Sequence, residues 1–322
     1  MTKILTAFLL GMSLAGSLIQ TAFAKYPERP VKIIVPYPAG GPTDIAARTL
    51  GNKLSQSLGQ PFLVDNVPGA GGNIGTAMAA KAPADGYTIL LAGSAFVINV
   101  TLYPQPGYHP KRDFTPVGLL VTAPMILLVN NDVPVRSVSE LIALGKSKPG
   151  KINYASSSIG GAPHLAMELF KTMTGTDFQH IPYKGAAPAL ADLAAGVTSV
   201  CMDSIVTGMQ FAKQGRVRAL AVSSPKRTPL APEIPTIAES GVPGFEATLW
   251  YAIFLPTGAP RDIVQLLNAE TNKALVSPDL NKTLVGLGTD PTPLSLAEFN
   301  TFIDTEMVKW TGIVKTSGAK VE

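Results

Sequence analysis

The chain has 322 residues, only 15% of them charged, and a formal net charge of +4 at pH 7. Its Lys and Arg residues are scattered, so the sequence shows no basic face that would bind nucleic-acid phosphates. Cys201 is the single cysteine, which excludes an internal disulfide partner, and its apolar neighbours predict a buried, unreactive thiol. The length is sufficient for two domains of ordinary size.

Residues 1–24 have the pattern of a secretory signal peptide. Lys3 precedes an apolar stretch over residues 4–19, and the triplet Ala-Phe-Ala at 22–24 supplies a cleavage site. A membrane anchor is the alternative, but the stretch is shorter than a bilayer span and contains two glycines. We expect cleavage near Ala24 and an exported, periplasmic protein.

Short apolar segments typical of buried parallel strands alternate with helical patterns along the chain. The predicted strands are Val31–Val35, Phe62–Val64, Thr88–Ala92, Ile126–Val129, Ile152–Ala155, Val197–Met202 and Ala219–Val222. The first predicted helix has Thr43 or Asp44 as its N-cap and stops at Gly59, and a second begins near Asn73. Two further helices end before Gly175 and before Gly196, and the last two lie near Ile263–Ala274 and Leu296–Thr316. This alternation predicts an α/β fold of doubly wound sheets.

Two passages of the chain indicate two lobes. Residues 117–124 lead from one α/β block to a fresh strand, and the proline-rich residues 223–247 lead out of the second block. Everything after Trp250 then has to pack on the first block. We expect residues 25–124 and 248–322 to form lobe 1 and residues 125–247 to form lobe 2, with a hinge at the two crossovers.

The turns that follow the strands are the candidate site, because ligands of open α/β sheets bind beyond the carboxyl ends of the strands. Four such turns consist mainly of small residues: PAGGPTD (38–44), AGSAF (92–96), ASSSIGGAPH (155–164) and MDSIVTG (202–208). Two of them enter helices, whose N-termini favour an anion. The Gly40-Gly41 turn with the Thr43 hydroxyl is sufficient to hold a carboxylate, although such glycines also make plain tight turns. The absence of Lys and Arg from the four turns favours one buried carboxylate on an otherwise neutral solute.

Nucleotide and metal sites are poorly matched. The sequence lacks GxxxxGK[ST], and GAGGNIG at 69–75 lacks the third glycine of GxGxxG, which favours a structural turn. One Cys, three scattered His and no carboxylate cluster supply no metal ligand set, and no cofactor is expected.

A serine hydrolase is the alternative from another functional class. It would use Ser158 or Ser94 as nucleophile with His164 and Asp203, but the GxSxG elbow is absent. His164 follows a proline at a helix start, which suits contact with a ligand or a backbone group better than catalysis as a base. We therefore expect a protein that is not an enzyme.

Seven segments carry a resemblance to a known family. They are YPERPVKIIVPYPAGGPTDIAARTL, NVPGAGGNIGT, APADGYTILLAG, KPGKINYASSS, HIPYKGAAPALADLAAG, PEIPTIAESGVPGFEA and LPTGAP. Together they resemble the Bug family, the TctC-like extracytoplasmic solute-binding receptors of tripartite tricarboxylate transporters. The resemblance implies a type II periplasmic binding protein fold of two α/β lobes with two crossovers around a ligand cleft. It also implies a small organic carboxylate and the transporter's membrane components as partners, and we expect a monomer.

The resemblance further implies where the ligand is held, because family members typically bind the carboxylate through backbone amides, hydroxyls and bridging waters. The matching positions are Ala39, Gly40, Thr43, Ser94, Ser156, Ser157, His164 and Asp203, and the turns themselves add Gly41 and Ser158. Asp203 either faces the ligand or caps a helix beginning at Ser204. Pro163 stands where relatives commonly have Ser or Thr, which removes a hydroxyl and an N–H from the water-bridged network and predicts a less polar solute at that end. Thr198 and Ser199 stand where relatives often have an amide or an acid. Which carboxylate is bound, and whether for transport or for sensing, stays open.

Overall fold

The computed structural model describes residues 26–319, so the predicted signal peptide lies outside the described part of the chain. The strands are β1 Val31–Val35, β2 Phe62–Asn66, β3 Thr88–Gly93, β4 Phe114–Ala123, β5 Met125–Asn130, β6 Ile152–Ser156, β7 Phe178–Pro182, β8 Val200–Ser204, β9 Val217–Val222, β10 Leu249–Pro256 and β11 Asp290–Pro291. The helices are α1 Pro42–Leu58, α2 Asn73–Ala80, α3 Ala95–Leu102, α4 Pro110–Asp113, α5 Val138–Ser147, α6 Ala162–Thr174, α7 Ala186–Ala194, α8 Ile205–Lys213, α9 Arg261–Leu275, α10 Pro278–Gly286 and α11 Leu296–Ser317.

The strands form two mixed sheets. The first has six strands in the order β11-β4-β10-β3-β1-β2, and the second has five in the order β7-β6-β8-β5-β9. β1 is parallel to β2 and β3, whereas β10 runs antiparallel between β3 and β4. The chain enters the second sheet through Pro124 alone and returns through residues 223–248. The predicted α/β class with two crossovers is confirmed.

The first βα unit shows how local sequence specifies these elements. β1 is β-branched and apolar at nearly every position, and its side chains pack on Ala46, Leu50 and Leu54 of α1, which recur at four-residue spacing. Gly59 ends α1 in the left-handed conformation, with φ of 77°. Sequence periodicity therefore predicted this unit correctly except at its start.

The N-cap prediction for α1 was wrong, because the cap is Gly41 rather than Thr43 or Asp44. Pro42 occupies the first helical position, where its fixed φ suits a helix and its missing N–H leaves no donor unpaired. The Gly41 carbonyl accepts the first intrahelical bond, from Ile45 N at 3.0 Å.

The prediction for β8 also needs correction, since the strand begins at Val200 and not at Val197. Gly196, with φ of 79°, closes α7, and Val197 N bonds back to Asp192 O. β4 and β10 were not predicted as strands. Both are long, apolar and irregularly paired, and the register of their ladder shifts twice.

Helix α11 joins the two halves of the molecule. It packs on α3 and β4 of the first sheet and also contacts α6, which lies on the second sheet. Glu306 of α11 is buried and accepts hydrogen bonds from the indole nitrogens of Trp250 at 2.8 Å and Trp310 at 2.7 Å. Lys309 pairs with the same carboxylate.

Cys201 is buried in β8, and burial raises the pKa of its thiol, as expected of an unreactive cysteine. Within residues 26–319, no helix combines the length and the apolar character needed to cross a bilayer.

Candidate ligand-binding site

A cavity of about 500 Å³ lies between loops of the two sheets, a volume suited to a small solute. The first sheet and its helices contribute Tyr37, Thr43, Gly71, Gly93, Ser94, Ala95, Ile98, Asn99, Leu102, Tyr103, Leu249 and Tyr251, and the second contributes Ser158, Ile159, Gly160, Gly161, Ala162 and Pro163. No residue of this lining, all of it within the described chain, carries a charged side chain.

Three helices begin at this cavity: α1 and α3 from the first sheet and α6 from the second. Their N-caps are Gly41, Ser94 and Gly161, and in none of the three does a side chain cap the N-terminal N–H groups. Helices α5 and α11 are capped by Ser137 and Ser295, whereas α2, α7, α9 and α10 also lack a side-chain cap, so what distinguishes these three helices is that they start at one cavity. The first N–H groups of a helix lack intrahelical partners and lie at the positive end of its dipole. These three N-termini therefore give the cavity backbone donors of the kind that favour an anion.

Tyrosine and asparagine side chains supply the remaining polar groups. Burial raises the pKa of Tyr37 to about 12 and also raises that of Tyr251, so both hydroxyls are protonated donors at neutral pH. Asn99 is held by hydrogen bonds to Gly71 O at 3.1 Å and to Asn73 Oδ1 at 2.8 Å. These tyrosine and asparagine groups are therefore neutral, and the Asn99 amide is held in one orientation.

The predicted site residues divide into two groups. Thr43, Ser94 and Ser158 line the cavity. The lining does not include Ala39, Gly40, Gly41, Ser156, Ser157, His164 and Asp203, of which Ala39 and Gly40 are exposed.

Ser156 and His164 lie behind the cavity wall and support it. The buried Ser156 Oγ donates to Ser158 O at 3.0 Å and lies 2.6 Å from His180 Nε2. His164 Nδ1 accepts from Gly160 N at 2.9 Å. These side chains therefore do not line the cavity themselves but hold the backbone of the loop that does.

Asp203 is 5% exposed, and burial raises the pKa of its carboxyl group. Its Oδ1 accepts from Ser204 N at 2.8 Å and its Oδ2 from Thr207 Oγ1 at 3.1 Å, both at the start of α8. In the described chain, His164 makes no hydrogen bond with Ser158 or Asp203, so these three residues do not form the triad considered above. The same residues contain no cluster of three potential metal ligands.

Several lining residues were missed by sequence reasoning. Leu249 and Tyr251 lie at the start of β10, a strand that was not predicted. Gly71 belongs to the GAGGNIG segment, which was interpreted only as a structural turn. Tyr37 stands two residues after β1 and directly before the predicted turn 38–44, and this position was a signal that could have identified it.

A sequence model of the family described as "Tripartite tricarboxylate transporter family receptor" (TctC) matches residues 46–319. The chain belongs to the TctC family. Among curated TctC-like relatives, the UPF0065 protein in the tcbD-tcbE intergenic region of Pseudomonas sp. strain P51 is 41% identical and covers 89% of this chain and 85% of its own length. Protein BugT of Bordetella pertussis is 37% identical over 100% of this chain and 99% of its own. The predicted Bug-family resemblance is confirmed.

Solved structures give the same result for the TctC fold. Rpa4515 of R. palustris with adipate is 38% identical, has a TM-score of 0.75 and covers 92% of this chain and 100% of its own. MatC of Rhodopseudomonas palustris with bound malate is 31% identical, with a TM-score of 0.71 over 90% and 100%. A TctC solute-binding protein from Polaromonas, described as having no ligand, is 28% identical, with a TM-score of 0.82 over 90% and 99%. The predicted periplasmic binding protein fold is confirmed.

Proposed function

We propose that this chain is a periplasmic receptor that binds a small carboxylate-bearing solute in the cavity and delivers it to the membrane components of a tripartite tricarboxylate transporter. The observation that carries the proposal is the meeting of three helix N-termini without side-chain caps at a cavity whose lining has no charge. Backbone N–H groups form charge-assisted hydrogen bonds with a carboxylate, and no buried Arg has to lose its hydration.

Family membership and two solved relatives support this class of solute. The matched family is one of transporter receptors, and two structures of 38% and 31% identity contain adipate and malate. The apolar lining residues Ile98, Leu102 and Leu249 favour a solute with an apolar body. The leader-like pattern over residues 1–24 supports export.

We further propose that the protein closes on its solute as two lobes, residues 25–124 with 248–322 and residues 125–247. The division follows the two sheets, and the cavity is lined from both. A solute that contacts both lobes stabilises the closed arrangement over the open one.

Thermal unfolding of the mature protein, refolded to remove carried-over solute, tests the ligand class. A ligand at a hundred times its dissociation constant should stabilise the native state by about 2.7 kcal/mol. We expect adipate or malate to raise the melting temperature and the diamide of adipate to leave it unchanged. The monoamide tests the expectation of a single buried carboxylate. Stabilisation by a neutral solute, with none by any acid, would contradict the proposal.

Delivery is tested apart from binding. Vesicles that contain the membrane components of a tripartite tricarboxylate transporter should accumulate adipate only when this receptor is added. Accumulation that is independent of the receptor, despite tight binding in solution, would favour a sensing role.

A further inference from the structure

The second-sheet side of the cavity begins with Ser158–Gly161, which we call the wall loop. Two hydrogen bonds hold the loop from behind. Gly160 N donates to His164 Nδ1 at 2.9 Å, and Ser156 Oγ donates to Ser158 O at 3.0 Å. Ser156 Oγ in turn lies 2.6 Å from His180 Nε2, so two histidines support the loop.

These contacts determine where each imidazole carries its proton. The Ser156 hydroxyl has one hydrogen, which it gives to Ser158 O, so His180 Nε2 must be the donor to Ser156 Oγ. His164 Nδ1 accepts from Gly160 N and must therefore be unprotonated. Both rings are neutral Nε2–H tautomers, and a second proton would have to bind Nδ1. In His164, Nδ1 is the atom that accepts from the wall loop.

The two rings are stacked, which adds a second penalty for protonation. The centroids of His164 and His180 are 3.9 Å apart with an interplanar angle of 9°, and His180 stacks on Tyr154 at 4.9 Å. Two positive rings at this distance repel each other strongly in a buried site.

The charged and titratable groups that face the pair offer no free counterion. Glu168 accepts from Tyr154 Oη at 2.5 Å and from Lys171 Nζ at 2.8 Å, so its charge is already paired. Tyr154 and Glu168 face the rings from β6 and α6, and Lys171 lies one helical turn further along α6. His164 is 5% exposed, which leaves little water to stabilise an imidazolium ion.

We propose that His164 and His180 are positioning residues of the wall loop. His164 holds Gly160 N only while its Nδ1 is unprotonated, and His180 keeps its bond to Ser156 but adds a positive charge to the stacked pair when protonated, so that protonation of the pair frees the loop and releases the solute. The statement about solute rests on the proposed function, whereas the statement about the loop does not.

The direction of the pH dependence follows from the pKa values. Burial lowers the pKa of His180 to about 4 and also lowers that of His164. In a loosened loop, each ring has the ordinary pKa of about 6.5 and takes up its proton first as the pH falls. Through His180, the ordered loop therefore loses relative stability from about pH 6.5 down to about pH 4, and protonation of His164 adds to this loss in the same direction. At about pH 5, full linkage through His180 alone would change the ratio of ordered to loosened loop by about thirtyfold.

Hydrogen exchange of the wall-loop amides in the protein without solute tests the proposal, with rates corrected for intrinsic exchange at each pH. The test variant is His164→Asn with His180→Gln, because Asn Oδ1 replaces the Nδ1 acceptor, Gln Nε2 replaces the Nε2 donor, and neither titrates. The control is His109→Gln, since His109 is exposed and caps the short helix α4.

Between about pH 7.5 and about pH 5, the wild type and the His109 variant should lose at least about tenfold of their protection, and the double variant less than about twofold. A wild type without pH dependence, or a double variant that loses protection equally, would overturn the proposal. If the double variant does not fold, nitrogen NMR of the wild type decides, because an Nδ1–H tautomer on either ring contradicts the geometry.

The solute arm uses adipate. The dissociation constant of the double variant is compared with that of the wild type at each pH, so that ionisation of adipate itself cancels. At about pH 5, the adipate affinity of the wild type should fall by at least about fivefold relative to that of the double variant. A ratio of the two dissociation constants that does not change with pH would contradict the link between the loop and solute release. If neither adipate nor any other acid binds at about pH 7.5, the proposed function fails, while the exchange result still judges the wall loop.

Discussion

At the scale of single residues, the site depends on neutral donors. Thr43 is 8% exposed at the second position of α1 and lines the cavity. We expect Thr43→Val to weaken adipate binding about tenfold or more, because hydrogen bonds to charged groups contribute about 1.5–3 kcal/mol. Titration calorimetry measures this. Thr49→Val is the control on the same helix, since the Thr49 hydroxyl donates to Ile45 O away from the cavity. Equal losses in the two variants would contradict the assignment.

The wall loop offers a second test at this scale. Gly160 has φ of +72°, and a Cβ there would lie 2.6 Å from Leu102 Cδ2, a cavity residue contributed by the first sheet. Gly215 has φ of +70° with nothing within 4 Å, so Gly215→Ala introduces the same backbone strain without the clash. In urea unfolding, backbone strain should cost each variant about 1–2 kcal/mol of stability, and the clash should cost Gly160→Ala about 1–3 kcal/mol more.

The glycine variants should differ in affinity. Only Gly160→Ala displaces Leu102, which lines the cavity, so the shape of the cavity changes and adipate affinity should fall about fivefold or more. Unchanged affinity in Gly160→Ala would show that Leu102 moves aside freely.

At the scale of elements, α11 is fastened to the first sheet by one buried carboxylate. Glu306 is 1% exposed and accepts from both tryptophans of the chain, Trp250 and Trp310. Glu306→Ala leaves two indole N–H groups and Lys309 without their partner, and breaking a buried pair costs about 3–5 kcal/mol. Urea unfolding followed by circular dichroism should show this loss.

The matched control for α11 is Asp304→Ala. Asp304 lies on the surface of the same helix and pairs with Lys111 of α4. Exposed ion pairs of this kind contribute at most about 1 kcal/mol to stability. A loss below about 1 kcal/mol in Glu306→Ala would show that the tryptophan cluster does not depend on its carboxylate.

At the scale of the whole molecule, the two sheets are connected by Pro124 and by residues 223–248. If the sheets belong to lobes that move about these crossovers, adipate should reduce the radius of gyration measured by small-angle scattering. The diamide of adipate is the control ligand, which should cause no compaction. An unchanged radius of gyration with adipate saturating would argue against closure. It would indicate instead that α11, which contacts both halves, holds them in one arrangement.

Local sequence determined the elements whose signals are short-range. The four-residue spacing of Leu50 and Leu54 and the stop at Gly59 specify α1, and the apolar run from Val31 specifies β1. The small residues after the strands also marked the turns that contribute Thr43, Ser94 and Ser158 to the cavity. These features are readable because neighbouring residues alone decide helix periodicity, strand composition and glycine turns.

Only the tertiary structure decided which side chains reach the cavity. Tyr251 enters the lining because β10 pairs antiparallel with β3, a strand more than 150 residues earlier, where Tyr251 stands opposite Gly93. His164 was predicted to bind the ligand, but α6 directs it behind the wall loop, where it stacks on His180 of β7. Such placements depend on contacts between distant segments. One sequence by itself determined the turns from which the site is built, and packing determined the orientation of each side chain within it.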